Sequence, residues 1–429
     1  MKLPNLYISA NGRMFRREDG SPFFYLGDTA WELFHRTTLE EARVYLTDRA
    51  AKGFRVIQAV ALAELDGLHM PNCYGHVPLE QDDPARPVEA YWHYVDQVVE
   101  LANELGMYIG FLPTWGDKWN RLWGVGPEIF NEANARIYGR WLGRRYREAG
   151  IIWILGGDRI VSTPAQLLIL RALAEGLREG DGGSHLITLH PGGGLSSSQS
   201  IHAEAWTDFH MIQSGHTRCD ISLRLLRHDR ELLPVRPFVN GEPNYEEHPE
   251  AFQGGKSGWF DQHDVRRELY WAITAGAAGF TYGAHPVWQF YDGKREPVNT
   301  SRITWQEALA LPGAKQLHFA LELLAALPSE DRQPADWCFC SFRGEGIGMA
   351  TACRDAAGSW ALIYQPESRC LMVDLSVIEA DRISYRWLNP RTGEVPACGE
   401  CNGSVQRQFT PPPSNDGGRD VLLILEKSR

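Results

Sequence analysis

Ile151-Ile152-Trp153-Ile154-Leu155-Gly156-Gly157-Asp158-Arg159 is the stretch that decides the fold. Its first five residues are apolar without alternation, which is typical of a strand in a parallel sheet that is buried on both faces. Two glycines and a charged pair follow, so the strand ends in a turn that exposes polar groups. The stretch therefore predicts a buried parallel strand with reactive side chains at its carboxyl end.

Similar apolar runs recur along the chain, and a helical segment follows most of them. The predicted strands are Phe23–Leu26, Arg55–Ala61, Met107–Leu112, Ile151–Leu155, His185–Leu189, Phe209–Gln213, Pro237–Asn240 and Gly279–Tyr282. Eight β-then-α units close most naturally into a (β/α)₈ TIM barrel. An open doubly wound sheet is the alternative, but no Gly-x-Gly-x-x-Gly follows these strands, which counts against a dinucleotide site.

Helix boundaries support this alternation. Thr37-Thr38-Leu39-Glu40-Glu41 predicts a helix start with a hydroxyl cap and a Glu three residues on. Gly126-Pro127 predicts the start of a later long helix with proline at its first position. Residues 88–104 show apolar side chains at helical spacing. Asp261 predicts the start of a helix that runs to about residue 275.

Two further units flank the barrel. Asn11-Gly12 and Asp19-Gly20 are hairpin signals and predict an N-terminal β-ribbon. The helical pattern stops at about Leu327, residues 328–334 resemble a linker, and short strand-like runs such as Trp337–Phe342 follow. We therefore predict a catalytic barrel with an N-terminal hairpin over residues 1–330 and an antiparallel β-sandwich over residues 334–429. We expect the sandwich to serve stability or assembly; an independent sugar-binding module is the alternative.

Composition narrows the classes of partner. The 429 residues include 43 Lys+Arg and 54 Asp+Glu, with a net charge of −11, which argues against nucleic acid or an anionic membrane as partner. The 15 Trp, 15 Tyr and 17 Phe suit a cleft that stacks flat, amphipathic ligands. No 18-residue apolar run and no secretory signal are visible. This predicts a cytoplasmic location, with a secreted protein that has lost its signal as the open alternative.

Six of the eight cysteines follow residue 337. Cys338-x-Cys340 and Cys398-x-x-Cys401 together could form a four-thiolate zinc site. The first pair lies in an apolar run where both thiols would pack as small hydrophobic groups. This favours free thiols in a reducing cytoplasm, and a local Cys398–Cys401 disulfide is a further option.

Two carboxylates stand at predicted strand ends. Asp158 follows the fourth strand and Glu242 the seventh, and these strands face each other across the mouth of an eight-stranded barrel. Two such carboxyls are the working groups of a glycosidase: one donates a proton to the leaving oxygen, and the other stays ionised at the anomeric carbon. The structural alternative is that Asp158 caps a helix and Glu242 pairs with an arginine such as Arg159 or Arg55.

Most other strand ends also carry polar or aromatic side chains. We predict that these side chains line one substrate pocket with the carboxylate pair. Asp28 is predicted to accept a hydrogen bond from a sugar hydroxyl, with a helix cap as the alternative. Each histidine is predicted to bind the ligand, with a structural role as the alternative. The predicted substrate-binding residues are Asp28, Trp31, Trp115, His190, Gln213, His216, Tyr282, His285 and Trp288. The first strand end lacks the His-x-His of metal-dependent hydrolases and no His-Glu-x-x-His occurs, so we expect neither a catalytic metal nor a cofactor.

The order of these motifs resembles the apiosidase-like glycoside hydrolases, glycoside hydrolase family 140 and its relatives. The resemblance covers residues 5 to about 327, and the tail resembles a small β-domain that often follows this barrel and is labelled collagen-binding. The motifs that carry it are Asn11–Arg13, Asp19–Trp31, Ile152–Arg159, His190–Gly193, Met211–His216 and Gly241–Glu246.

The resemblance implies a proton-donating Asp158 and a nucleophilic Glu242 in a retaining enzyme that removes a terminal β-linked sugar, apiose in the characterised branch. The expected partner is a small oligosaccharide or glycoside, and the oligomeric state is left open. One alternative is a glycosidase of the same architecture that acts on another pentose or furanose, such as an arabinofuranoside. Another is a non-catalytic carbohydrate-binding protein, although the intact carboxylate pair speaks against it.

Overall fold

The computed structural model describes residues 3–403, 405–414 and 416–428. The strands are β1 (Leu6–Ile8), β2 (Phe15–Arg17), β3 (Pro22–Phe23), β4 (Tyr25–Thr29), β5 (Val56–Leu62), β6 (Tyr108–Thr114), β7 (Ile151–Gly156), β8 (Ile187–His190), β9 (Leu195–Ser196), β10 (His210–Gln213), β11 (Phe238–Glu242), β12 (Gly279–Tyr282), β13 (Arg332–Pro334), β14 (Thr351–Asp355), β15 (Trp360–Gln365), β16 (Leu371–Asp374), β17 (Arg382–Leu388), β18 (Ala397–Asn402), β19 (Gln406–Phe409) and β20 (Val421–Lys427). The helices are α1 (Leu33–Arg36), α2 (Leu39–Ala51), α3 (Glu89–Glu104), α4 (Glu132–Arg145), α5 (Pro164–Asp181), α6 (Ser198–Ile201), α7 (Ile221–Glu231), α8 (Gln262–Thr274), α9 (His285–Trp288), α10 (Trp305–Ala308) and α11 (Pro312–Ala326).

Eight parallel strands curl into the predicted TIM barrel. Their hydrogen-bonded order is β8-β7-β6-β5-β4-β12-β11-β10, and the short β9 adds an antiparallel edge to β10. The two ends of this sheet meet where the Asp208 N–H donates to the Ile187 carbonyl at 3.0 Å. The Thr188 hydroxyl adds a bond of 2.6 Å to the Phe209 carbonyl. The fold-class prediction is confirmed, and the open doubly wound alternative is wrong.

The barrel strands are buried on both faces, as continuous apolar runs require. Alternate residues such as Tyr25, Val60 and Ile154 point into the barrel, where they form one core with the N-terminal ribbon. Their neighbours, such as Leu26 and Trp153, face the outer helices and form a second core. Which face a strand residue occupies therefore decides whether it can reach the barrel mouth.

Helix starts are set mostly by side-chain caps. In the stretch predicted to cap α2, Thr38 and Glu41 form a full capping box, and Asp261 caps α8. The predicted start at Gly126-Pro127 is wrong, because Asn131 forms the capping box of α4 and residues 126–127 lie in the preceding loop.

The flanking units also form as predicted. Strands β1–β3 make the N-terminal antiparallel ribbon. At the C-terminus an antiparallel sheet with the order β13-β14-β15-β20-β17-β18 packs around one core with the β16–β19 pair. The last strand of the chain, β20, thus lies between β15 and β17. Residues 337–342 do not form the predicted strand: the first two belong to a 3₁₀ turn at Asp336–Cys338, and Phe339 makes an isolated bridge with Val373.

The sandwich packs against α8, whose described residues from Asp264 to Thr274 are all buried. Its outer contacts are a ring stack of Tyr270 on Tyr364 at 4.9 Å, a Trp271 indole bond to the Met349 carbonyl at 3.1 Å, a Thr274–Thr351 hydroxyl pair at 2.7 Å, and a two-bond ion pair of Arg266 with Asp420 at 2.7 and 2.9 Å. Apolar residues of β15 and β20 also join the outer barrel core. The two units therefore share a core as well as a polar contact.

The structure also bears on the state of the cysteines, on metal binding and on membrane-spanning helices. All eight cysteine thiols are free. Within residues 3–403, 405–414 and 416–428, no group of three or more His, Cys, Asp or Glu side chains has a metal-binding arrangement. In the same part of the chain, no helix has the length and apolar character that would let it cross a bilayer.

Candidate active site

A cavity of about 840 Å³ opens at the carboxyl ends of the barrel strands, which is the size range of small-molecule sites. Most of the predicted site residues meet there. The predicted residues that line it are Trp31, Trp115, Asp158, Gln213, His216, Glu242 and Trp288. His190 lies directly behind them, fully buried.

Asp158 owes its position to the two glycines before it. Gly156 and Gly157 have φ angles of +93° and +94°, and Asp158 itself has +55°. A side chain at 156 would meet the His190 carbonyl at 2.4 Å, and one at 157 would meet the Gly116 nitrogen at 2.7 Å. Only glycine fits this reversal of the chain, which turns the Asp158 carboxyl into the cavity.

Glu242 reaches the cavity through a β-bulge. Ile212 of β10 pairs with Asn240, but the next residue, Gln213, pairs with Glu242, so Gly241 is an extra residue on β11. Without this bulge Glu242 would take the outward-facing position. A Cβ on Gly241 would lie 2.4 Å from the Met211 side chain, so the bulge also requires glycine.

His190 connects the two carboxyl-bearing segments. The Asp158 backbone N–H donates to Nδ1 of His190 at 3.1 Å. Because Nδ1 accepts this bond, the neutral ring carries its proton on Nε2. That Nε2 lies 2.8 Å from Oε2 of Glu242, and Nε2 of His216 lies 3.3 Å from Oε1. The His216 contact is a hydrogen bond, whereas the His190 ring meets Oε2 at close range without hydrogen-bond alignment.

The environments of the two carboxyls push their pKa values apart. Burial and the nearby charge of Glu242 raise the pKa of Asp158 to about 6, although His190 and Arg159 oppose the shift. Burial alone would raise the pKa of Glu242, but the contacts with His190 and His216 outweigh it and lower that pKa to about 2. One group can therefore hold a proton while the other stays ionised in the same cavity.

The structural alternative for this pair is only partly realised. Arg159 approaches Asp158, with a guanidinium nitrogen 3.3 Å from its carboxyl, but it does not pair with Glu242. The Arg55 guanidinium lies over the Phe23 ring. Glu242 thus has histidine partners in place of the arginine that this alternative required.

Aromatic rings and unpaired polar atoms form the rest of the wall. Trp31 lies 5.3 Å from the ring of Trp115, centroid to centroid, and meets His190 edge-on. The indole N–H of Trp115, the amide oxygen of Gln213 and Nδ1 of His216 are buried without a hydrogen-bond partner in the described structure. Flat apolar faces beside unpaired donors and acceptors are what a sugar ring with its hydroxyls requires.

Asp28 and Tyr282 do not reach the cavity, so their predicted roles are wrong. They are register neighbours on β4 and β12, and both face the outer helices. The Asp28 carboxylate accepts bonds from Arg49 at 2.5 Å and from the Tyr45 hydroxyl at 2.6 Å. The Tyr282 hydroxyl donates to Glu246 at 2.7 Å. These groups join strands to helices.

His285 also lies outside the cavity lining, which corrects its predicted contact with substrate. Its Nε2 donates to the carbonyls of Val298 and Thr300, both at 3.0 Å. Its Nδ1 therefore accepts, and the Trp288 indole N–H donates to it at 3.2 Å. His285 thus fixes the orientation of Trp288, which does line the cavity.

The sequence reasoning missed several lining residues. These include Glu64, Trp123, Tyr245, His248 and Phe252. Glu64 follows the second barrel strand, and the strand-end rule applied there would have found it. Trp123 and Phe252 lie in long loops at the rim, with 66% and 57% of their surface exposed, and no local pattern indicates where such loops fold back.

A carboxyl that can hold a proton and an ionised carboxylate, together in an aromatic cavity of a TIM barrel, are an arrangement typical of glycoside hydrolases. The comparisons agree. The chain belongs to the family described as "Apiosidase-like, catalytic domain", whose family model matches residues 9–331. Residues 342–426 match the model described as "Putative collagen-binding domain of a collagenase".

Solved structures resemble the whole chain. A protein described as "Glycoside hydrolase" has a TM-score of 0.91 and 28% sequence identity over 99% of this chain and 97% of its own. A glycoside hydrolase family 5 protein from Bacteroides vulgatus has a TM-score of 0.90 and 28% identity over 99% and 95%. A search of curated protein sequences found no match. The chain is therefore a glycoside hydrolase, and its substrate is a carbohydrate.

Proposed function

We propose that the protein is a retaining exo-glycosidase that removes a terminal β-linked sugar, with β-apiosides as the substrate class. The observation that carries the proposal is the split between the two carboxyls in one cavity, with the pKa of Asp158 raised to about 6 and that of Glu242 lowered to about 2. The family suggests apiose as the sugar. The unpaired polar atoms of Trp115, Gln213 and His216 are suitable partners for its hydroxyls.

In this mechanism Glu242 attacks the anomeric carbon while Asp158 gives its proton to the leaving glycosidic oxygen. A glycosyl ester with Glu242 forms, and the leaving group departs as an alcohol. Asp158, now ionised, takes a proton from water, which attacks the same carbon and releases Glu242. The N–H groups of His190 and His216 keep Glu242 ionised and oriented for its attack.

A panel of aryl β-glycosides tests the substrate class. We expect hydrolysis of the β-apioside, with little or no hydrolysis of the arabinofuranoside, xyloside or galactoside. NMR of the first-formed sugar should show the β anomer, because two displacements restore the original configuration. Preferential cleavage of another glycoside would overturn the apiose assignment, and an α product would overturn the retaining mechanism.

The pH dependence of kcat/KM follows from the two pKa values. Glu242 must be ionised and Asp158 protonated, so the rate should fall as the pH rises through about 6, with an acid limb near about 2. Asp158→Ala, assayed on a glycoside with an acidic phenol as leaving group, should retain measurable activity and lose the alkaline limb. Steady-state kinetics across the pH range measure both effects.

Glu246→Gln is a matched control for this profile. Burial raises the pKa of Glu246 to about 7, but its carboxyl binds Tyr282 and the Gly313 N–H outside the cavity. The variant should keep the alkaline limb of the wild-type enzyme. If the limb disappears in Glu246→Gln and persists in Asp158→Ala, Asp158 is not the proton donor.

A further inference from the structure

Glu64 is a third carboxyl in the active-site cavity. It follows β5 by two residues and lines the same cavity as Asp158 and Glu242. Its backbone is held in a turn, because its carbonyl accepts the Asp66 N–H at 2.9 Å. The carbonyl of the preceding Ala63 accepts a bond from the Lys118 ammonium at 2.6 Å. The position of this carboxyl is therefore defined by the fold.

Within the described structure, no protein group hydrogen-bonds to the Glu64 carboxyl, whereas its acidic neighbours all have partners. Asp117 binds Lys118 at 2.7 Å and the Gly126 N–H at 2.9 Å. Glu32 pairs with His35 at 2.7 Å, in addition to the partners already described for Asp158 and Glu242.

The nearby cations are already engaged. The Lys118 ammonium binds Asp117 and the Ala63 carbonyl, and the Arg159 guanidinium binds Asp158 and backbone carbonyls. A polar group in a cavity that has no protein partner loses its bound water when a ligand enters. This loss is unfavourable unless the ligand supplies a hydrogen bond in place of the water. The remaining place for a partner of Glu64 is the cavity itself.

The surroundings of Glu64 favour its neutral form. Burial raises its pKa well above the ordinary value, and the charges of Glu32, Asp158, Asp117 and Glu242 add to the effect. A protonated carboxyl carries one O–H donor and a carbonyl acceptor. It can donate to one hydroxyl and accept from its neighbour, whereas an ionised carboxylate can only accept.

We propose that Glu64 binds two adjacent hydroxyls of the sugar in the cavity as a neutral carboxylic acid, one as donor and one as acceptor. This inference rests on the proposed function, since it assumes that the terminal sugar occupies the cavity beside Asp158 and Glu242. Glu64 is then a specificity residue: it selects sugars with a hydroxyl pair at this position and leaves the proton transfer to Asp158.

Three variants test the proposal on the aryl glycoside that the wild-type enzyme cleaves best. Glu64→Ala should raise KM about tenfold or more, because bound hydroxyls lose both partners. Glu64→Gln keeps a neutral donor and acceptor, so its KM should rise clearly less than that of Glu64→Ala. The control is Asp66→Asn on the same loop, where Asp66 faces His69 at 2.8 Å outside the cavity; its KM should match the wild type.

Three readouts separate the outcomes: KM, the alkaline limb of kcat/KM, and the binding of free sugars. If Glu64→Gln is as impaired as Glu64→Ala, or if Glu64→Ala leaves KM unchanged, the proposal is overturned. If Glu64→Gln moves the alkaline limb of kcat/KM to lower pH, Glu64 was ionised beside Asp158 and the proposal is again overturned. Calorimetric binding of free apiose, arabinose and xylose distinguishes it from the proposed function: binding that Glu64→Ala abolishes supports Glu64 even in an enzyme that cleaves no glycoside, and binding that Glu64→Ala leaves unchanged overturns the Glu64 proposal alone.

Discussion

Glu242→Gln is expected to abolish hydrolysis of every glycoside, with kcat lower by about 10⁴-fold or more. The amide is nearly isosteric with the carboxylate, but its single oxygen can accept only one of the contacts that His190 and His216 make with Oε2 and Oε1, and its NH₂ group faces the other ring. It has no negative charge with which to attack the anomeric carbon. Initial-rate kinetics with several leaving groups measure the loss, and thermal unfolding shows whether the variant is folded.

Chemical rescue makes this result specific for a nucleophile. Glu242→Ala should regain activity when azide is added, and the product should be a glycosyl azide of inverted configuration, because only one displacement then occurs. Glu247→Gln is the matched control, since Glu247 pairs with Arg302 through surface contacts at 2.6 Å; it should keep wild-type kcat. Full activity in Glu242→Gln would place the nucleophile elsewhere.

Deletion of the sandwich is the second change with a large expected effect. A chain that ends at Pro334 should be insoluble, or soluble with a much lower melting temperature. Removal of the sandwich leaves the rings of Tyr270 and Trp271 on α8 exposed, and each buried side chain of this kind contributes about 1.5–3 kcal/mol. A few such losses approach the whole stability of a typical protein, about 5–15 kcal/mol.

A point variant checks the same interface without deletion. Arg266→Ala leaves Asp420 with one cationic partner, Arg391, and we expect it to lower the free energy of unfolding by about 1.5–3 kcal/mol, the range for hydrogen bonds to a charged group. Denaturant unfolding measures this. A soluble truncated protein with an unchanged melting temperature but poorer action on long substrates would contradict the stability role and favour an independent sugar-binding module.

The sequence predicted the barrel well because eight apolar runs with polar ends are a strong pattern. It did not predict which strand residues face inward. Strands buried on both faces show no alternation, so nothing in the sequence tells that Asp28 faces α2 while Trp31 reaches the cavity. The same ambiguity affected Tyr282, whose outward side is decided by its register with β4.

The strand-end positions of Asp158 and Glu242 were predictable for a different reason. The sequence shows two glycines before Asp158, and glycine tolerates the positive φ angles that the structure has there. Glu242 also follows a glycine. The bulge that turns Glu242 inward depends on pairing with β10, which only the folded sheet reveals. Glu64 was missed because the second strand end was not considered. His285 was wrongly predicted to contact substrate, because its binding to the carbonyls of Val298 and Thr300 depends on a chain segment more than ten residues away.

The central place of β20 has a consequence for synthesis of the chain. Residues 421–427 leave the ribosome after every other strand of their sheet, yet they lie between β15 and β17 and follow Asp420, the partner of Arg266. Until they emerge, the two halves of the six-stranded sheet cannot join, and the outer face of α8 lacks part of its cover. A nascent or prematurely ended chain that lacks this strand therefore presents apolar surface to chaperones and proteases, so that cellular quality control can distinguish copies with the strand from copies without it.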